Sequence, residues 1–260
     1  MALPLPNCRS VGGEWSRRHC AFALPDLTAY ILPSELRAGA LPAVGRLLVA
    51  RAGGGCDDVV VKCSTAITRL RDVADGLTRT TSWPDAGIVA GYVFGALIEH
   101  TGDLERVELA LMVDARPEEV PWLARPAGLE AIAAQLRFDK LPLVWWWRSA
   151  DGPVWNHHIQ RAVRFWTAGD GLDIAVVDSL AAGHTDQLPI TEPTDHQQLV
   201  TQLRAERDVS RRQLAQVIDR FYDRDWRRQH KHEGVFPQDH LWWAAAGFLE
   251  LDDALQRASG

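Results

Sequence analysis

The sequence predicts an α+β fold, a small mixed sheet with flanking helices followed by a helical C-terminal region. Apolar runs of strand length recur at residues 88–94, 107–113 and 141–147, with segments of helical spacing between them. Beyond residue 156 the apolar spacing reads as helical almost throughout. Composition divides the chain into an irregular N-terminal extension (1–58), an α/β domain (59–150) and a helical C-terminal domain (151–260).

The extension is rich in Gly and Pro and ends in Gly53-Gly54-Gly55, with one apolar piece from Leu41 to Val49. The break in patterning makes Val59, Val60 or Val61 an expected alternative start. Ile67, Leu70, Val73, Ala74 and Leu77 then predict an amphipathic helix over 62–78. Ser82-Trp83-Pro84 forms a turn, and Ile88–Phe94 reads as a buried strand ending at Gly95. A short helical turn covers Ala96–His100. Alternation at Val107, Leu109, Leu111 and Val113 gives a second strand that stops at Asp114. Pro117 opens a helical stretch broken at Pro121 and Pro126, a helix follows over 128–137, and Leu141–Trp147 is the third strand. Helices are expected at 156–166 and 173–182, with a linker at Pro189 and Pro193. Thr194 with Gln197 suggests a capping box. The next helix puts Leu199, Leu203, Leu214, Val217, Ile218 and Phe221 on one face, with acid-first pairs Asp208–Arg212 and Asp223–Arg227. The last helix spans Trp242–Leu255.

Of 260 residues, 47% are hydrophobic and 24% charged, enough to bury a sizeable core. A net charge of -6 argues against a nucleic-acid coat or a polybasic membrane binder. No stretch reaches the roughly 18 consecutive apolar residues of a membrane span. No basic, then apolar, leader opens the chain, so a cytoplasmic location is expected. Cys8, Cys20, Cys56 and Cys63 form no C-x-x-C pair, and free thiols are expected. The 11 tryptophans, including Trp145-Trp146-Trp147, point to a core or a pocket floor.

The order helix, strand, Gly, short helix, strand over 62–114 resembles nucleotidyltransferases of the polymerase-beta type. In that family a Gly-Ser turn at a helix start holds the triphosphate. Two carboxylates two residues apart on the following strand share divalent metals. Ala90 to Ala96 resembles the first part and Arg106 to Val113 the second. The departures decide the reading. Ala96 replaces the serine, and Arg106 with Glu108 falls on the carboxylate positions, so a fixed positive charge stands where a metal would dock. The third strand supplies no carboxylate. The resemblance therefore implies a degenerate core with no metal cofactor. In a second register Asp103 and Glu105 form the pair, with Glu108 or Asp114 assisting and magnesium or manganese as cofactor. Residues 60–256 also resemble a domain of unknown function in actinobacterial proteins, through Phe94-Gly95, Asp103-Leu104-Glu105, Trp147-Arg148-Ser149, Pro153 to His157 and Leu241-Trp242.

A second candidate site brackets the Gly152-Pro153 turn. Arg148, Asn156 and His157 are placed to converge on an anion such as phosphate, with Trp155 offering a stacking face. The competing reading makes Asn156 a helix cap, pairs Arg148 with a carboxylate and packs the tryptophans. Adjacent His157 and His158 point apart on a helix and make a poor metal pair. Arg227 and His232 resemble the Arg-x4-His element of HEPN-type ribonucleases; a basic helix end is the simpler reading. Signatures of P-loop ATPases, α/β-hydrolases, zinc proteases and Rossmann dehydrogenases are absent from the sequence. The functional expectation is a non-catalytic module that binds a nucleotide, a nucleic-acid end or a protein partner through Gly95 and the Arg148 cluster. The alternatives are a metal-dependent nucleotidyltransferase using Asp103 and Glu105, and a purely structural or interaction protein.

Overall fold

The computed structural model describes residues 61–83, 87–99, 102–138, 142–231 and 235–260. The expectations for the extension 1–58, for Cys8, Cys20 and Cys56, and for His232 lie outside those residues. Helix α1 (Cys63–Thr80) buries Ala66, Ile67, Leu70, Val73, Ala74 and Leu77, the predicted stripe. Strand β1 (Ile88–Phe94), helix α2 (Ala96–Glu99) and strand β2 (Val107–Val113) follow in the expected order. Helix α3 (Ala127–Gln135) then leads to β3 (Leu143–Ser149). Residues 117–126 form turns rather than the expected helical stretch, in keeping with prolines at 117, 121 and 126.

The clearest difference falls at 156–166, where the expected helix is a loop followed by strand β4 (Ala162–Thr167). Asn156 decides it locally. Its side-chain oxygen accepts from the backbone N–H groups of His158 (2.9 Å) and Ile159 (3.0 Å), closing a turn instead of starting a helix. Ala162, Val163, Phe165 and Trp166 are then buried in a strand paired antiparallel to β1. The sheet order is β3-β2-β1-β4-β5, with β5 at Gly171–Leu172; β6 (Ile190–Thr191) joins β4 inside the expected linker. β1 and β2 are antiparallel, β2 and β3 parallel.

Helix α4 (Ile174–Ala182) is capped by Asp173, whose side chain accepts from Val176 N, and Trp166 Nε1 donates to Thr78 Oγ1 (2.9 Å) to tie β4 to α1. Helix α5 (His196–Arg220) is capped one residue later than expected. Asp195 accepts from Gln198 N (2.7 Å), while Gln198 Oε1 accepts from Thr194 N (2.7 Å). Asp223 caps the short helix α6 (Arg224–Gln229) rather than pairing with Arg227, and Arg212 reaches Glu118 instead of Asp208. Helix α7 (Pro237–Ser259) runs antiparallel to α5: His196 Nε2 lies 2.7 Å from Ala258 O, and Val217 clusters with Ala244 at the other end. Val200, Leu203, Leu251, Ala254 and Leu255 join the sheet residues in one core, whereas Ile218 is exposed. Among the described residues no helix is long and apolar enough to cross a membrane.

The seat of α7 against the turn at Trp122 requires Gly247, because a Cβ there would overlap the Trp122 carbonyl oxygen. Gly247→Ala gains about 1 kcal/mol of helix propensity but forces a backbone shift costing about 1–3 kcal/mol. Gly128 in α3 meets nothing within 4 Å. Urea denaturation is expected to show Gly247→Ala destabilised and Gly128→Ala unchanged or more stable.

Candidate functional site

Strand β1 ends at Phe94, and Gly95 (φ 69°) turns the chain into α2. Phe94 pairs with Glu108 across the β1–β2 ladder, so the Glu108 side chain rises directly beside that turn. A Cβ at Gly95 would overlap the Glu108 carboxylate. The Ala96 backbone N–H supports the same carboxylate, and Arg106 Nε lies 3.8 Å from it. Burial raises the Glu108 pKa above the ordinary value; Arg106 and the Ala96 amide pull it down without cancelling that rise. The amide at the start of α2 is therefore taken by an internal carboxylate.

The residues present do not fit a two-metal site. Arg106 stands two residues before Glu108 and faces it as an ion pair. On β3 the residue opposite Glu108 is Val144, and Trp146 is opposite Ala110. Asp103 and Glu105 are exposed on either side of Leu104, which is buried and bridges Val61. Asp114 is exposed past the end of β2. Among the described residues no group of three metal-ligating side chains comes together.

At the second site, Arg148 and Asn156 do converge on an anion, which is Glu206 of α5. Arg148 Nη2 donates to Glu206 Oε1, Asn156 Nδ2 to Oε2 (3.1 Å) and Gln202 Nε2 to Oε1 (2.7 Å). Arg148 also donates to the carbonyls of Val154 (3.2 Å) and Pro153 (3.1 Å). Burial by itself would raise the Glu206 pKa, but the charge and hydrogen bond of Arg148, with Gln202 and Asn156, hold it below the ordinary carboxylate value. His157 turns away to Glu250 of α7 (Nε2 to Oε1, 3.0 Å), and Trp155 is buried in the core. Glu206 and Glu250 lie 50 and 93 residues from their partners Asn156 and His157, so no local motif announced them. His158 sits among Trp146 (4.7 Å between ring centres), Trp122 (5.7 Å) and Phe94 (5.8 Å). Burial lowers its pKa to about 4; the Glu250 charge opposes that shift, while His157 and Arg106 add to it.

A cavity of about 280 Å³ opens over the Arg148–Glu206 pair, lined also by Trp122, Asp151, Pro153 and Val209. It lies beyond the C-terminal ends of the parallel strands β2 and β3, the end where ligands of parallel sheets bind.

Removing one partner leaves the other buried charge uncompensated, so Glu206→Ala is expected to cost about 3–5 kcal/mol in denaturant unfolding. The loss of stability on acidification has two limbs, opposed by Glu108, whose raised pKa contributes stability that is lost as pH rises. Neutral His158 contributes stability that is present above its unfolded pKa of 6.5 and is lost as pH falls toward 4. Glu206 and Glu250 contribute stability present above 4.5 and lost as pH falls through their lowered values. His158→Phe is expected to flatten the upper limb of a urea-midpoint profile and leave the lower limb in place.

No curated protein and no solved structure matches this chain. A family model matches residues 61–257, the span that contains the whole sheet, the Glu108 turn and the Arg148–Glu206 cluster. The chain belongs to that family, described as Domain of unknown function (DUF7711).

Proposed function

We propose that this chain is a cytoplasmic, non-catalytic binding module built on a degenerate nucleotidyltransferase-like core. One observation carries the reading: the Glu108 carboxylate lies against the Gly95 turn, and Arg106, just before β2 and two residues from Glu108, pairs with it where the resemblance would place a metal ligand. A triphosphate entering the turn would have to displace a carboxylate and face its negative charge. Ala96 offers no hydroxyl in compensation. The partner is accordingly a protein or a small molecule that does not depend on triphosphate contacts at Gly95.

Melting of the full chain with each nucleoside triphosphate, with and without magnesium or manganese, tests this. No metal-dependent rise in melting temperature is expected, and no nucleotide transfer from a labelled donor. A metal-dependent rise that disappears in Asp103→Ala would instead establish the nucleotidyltransferase that uses Asp103 and Glu105.

A further inference from the structure

We propose that the cavity over Arg148 and Glu206 binds a small zwitterion of the α-amino-acid type with an apolar side chain. Its volume of about 280 Å³ lies just under the lower end, roughly 300 Å³, of small-molecule sites, so the ligand is small. Arg148 is buried, and its Nε and Nη2 are used by Val154, Pro153 and Glu206. Nη1 has no hydrogen-bond partner among the described residues, although Arg148 lines the cavity. A guanidinium edge left over in a residue that lines the cavity calls for a carboxylate or carbonyl oxygen.

The rest of the lining carries the opposite sign. Glu206, Glu118 and Asp151 bring three carboxylates against Arg148 and, at the rim, Arg212, a formal balance of -1. Arg212 reaches Glu118 at the rim (3.2 Å), while Asp151 is exposed and forms no ion pair among the described residues. A phosphate-like dianion is repelled by this balance, and a simple amine leaves the Arg148 edge unmet. A molecule with both an ammonium and a carboxylate satisfies both ends. Trp122, Val120, Pro121 and Val209 give the apolar wall that would receive a hydrocarbon side chain. The site is separate from the Gly95 turn, so the inference does not depend on that turn being closed.

The test is calorimetric titration of the full chain with each of the twenty standard amino acids. The matching amine lacking the carboxylate, the matching acid lacking the amine, and inorganic phosphate are run beside them. Saturable binding of at least one apolar amino acid is expected, with the amine and the acid each at least tenfold weaker and phosphate silent. Ala205 is exposed at the cavity mouth, so Ala205→Trp should block entry without disturbing the buried pair. It is expected to abolish binding, and Asp151→Asn to weaken it about tenfold. Val209→Trp serves as a second blocking variant, and unliganded melting curves verify that each variant is folded. The proposal is overturned if no amino acid binds, if binding survives both blocking variants, or if the amine, the acid or phosphate binds as tightly as the zwitterion.

Discussion

The Glu206 carboxylate, buried on α5, holds the sheet, the 153–159 loop and the helical hairpin in one arrangement. Arg148 comes from the end of β3, Asn156 from the loop and Gln202 from the preceding turn of α5. A buried charge costs several kcal/mol to desolvate, and it is tolerated only where its partners are complete. Here the carboxylate is met by three side chains, and the guanidinium also caps two loop carbonyls that would otherwise be orphaned. The loop in turn is closed by the Asn156 side chain and delivers β4 to the edge of β1. Placement of α5 and the edge pairing of the sheet therefore share one electrostatic knot.

The same device recurs at three places among the described residues. The Gly95 turn is met by Glu108, the Arg148–Asn156 pair by Glu206, and His157 by Glu250. At these three places a donor group is met by one of the chain's own acids. Trp122, Trp146 and Phe94 enclose His158 in a poorly solvated pocket, where the neutral ring is favoured over the charged one.

Gly247 shows the packing counterpart of these polar contacts. Backbone of the 120–123 turn approaches α7 so closely that no side chain fits between them. That approach brings Glu250 to His157 and sets the depth at which the hairpin sits on the sheet. Its upper half, with Val217, Trp226 and Ala244, forms a separate small cluster away from the main core.

Local periodicity and turn chemistry determined the α+β class and most of its first half. The stripe of α1, the helix α4 and the two long C-terminal helices were legible from apolar residues at helical spacing, and the full extents of β1 and β2 from short apolar runs of strand length. Arg106 and Ala96 were equally legible as departures from the carboxylate and serine of the nucleotidyltransferases that the sequence resembles. The strand at 162–167 was not, because a short apolar run is ambiguous until a partner edge is available, and that edge, β1, is some 70 residues earlier. A carboxylate partner for Arg148 was among the readings of the sequence, but the identity of the acids at Arg148, Asn156 and His157 was not visible, since they come from helices far along the chain. Charge pairing across such distances has no sequence repeat to betray it; only the folded packing of α5 and α7 on the sheet brings the opposite charges within reach.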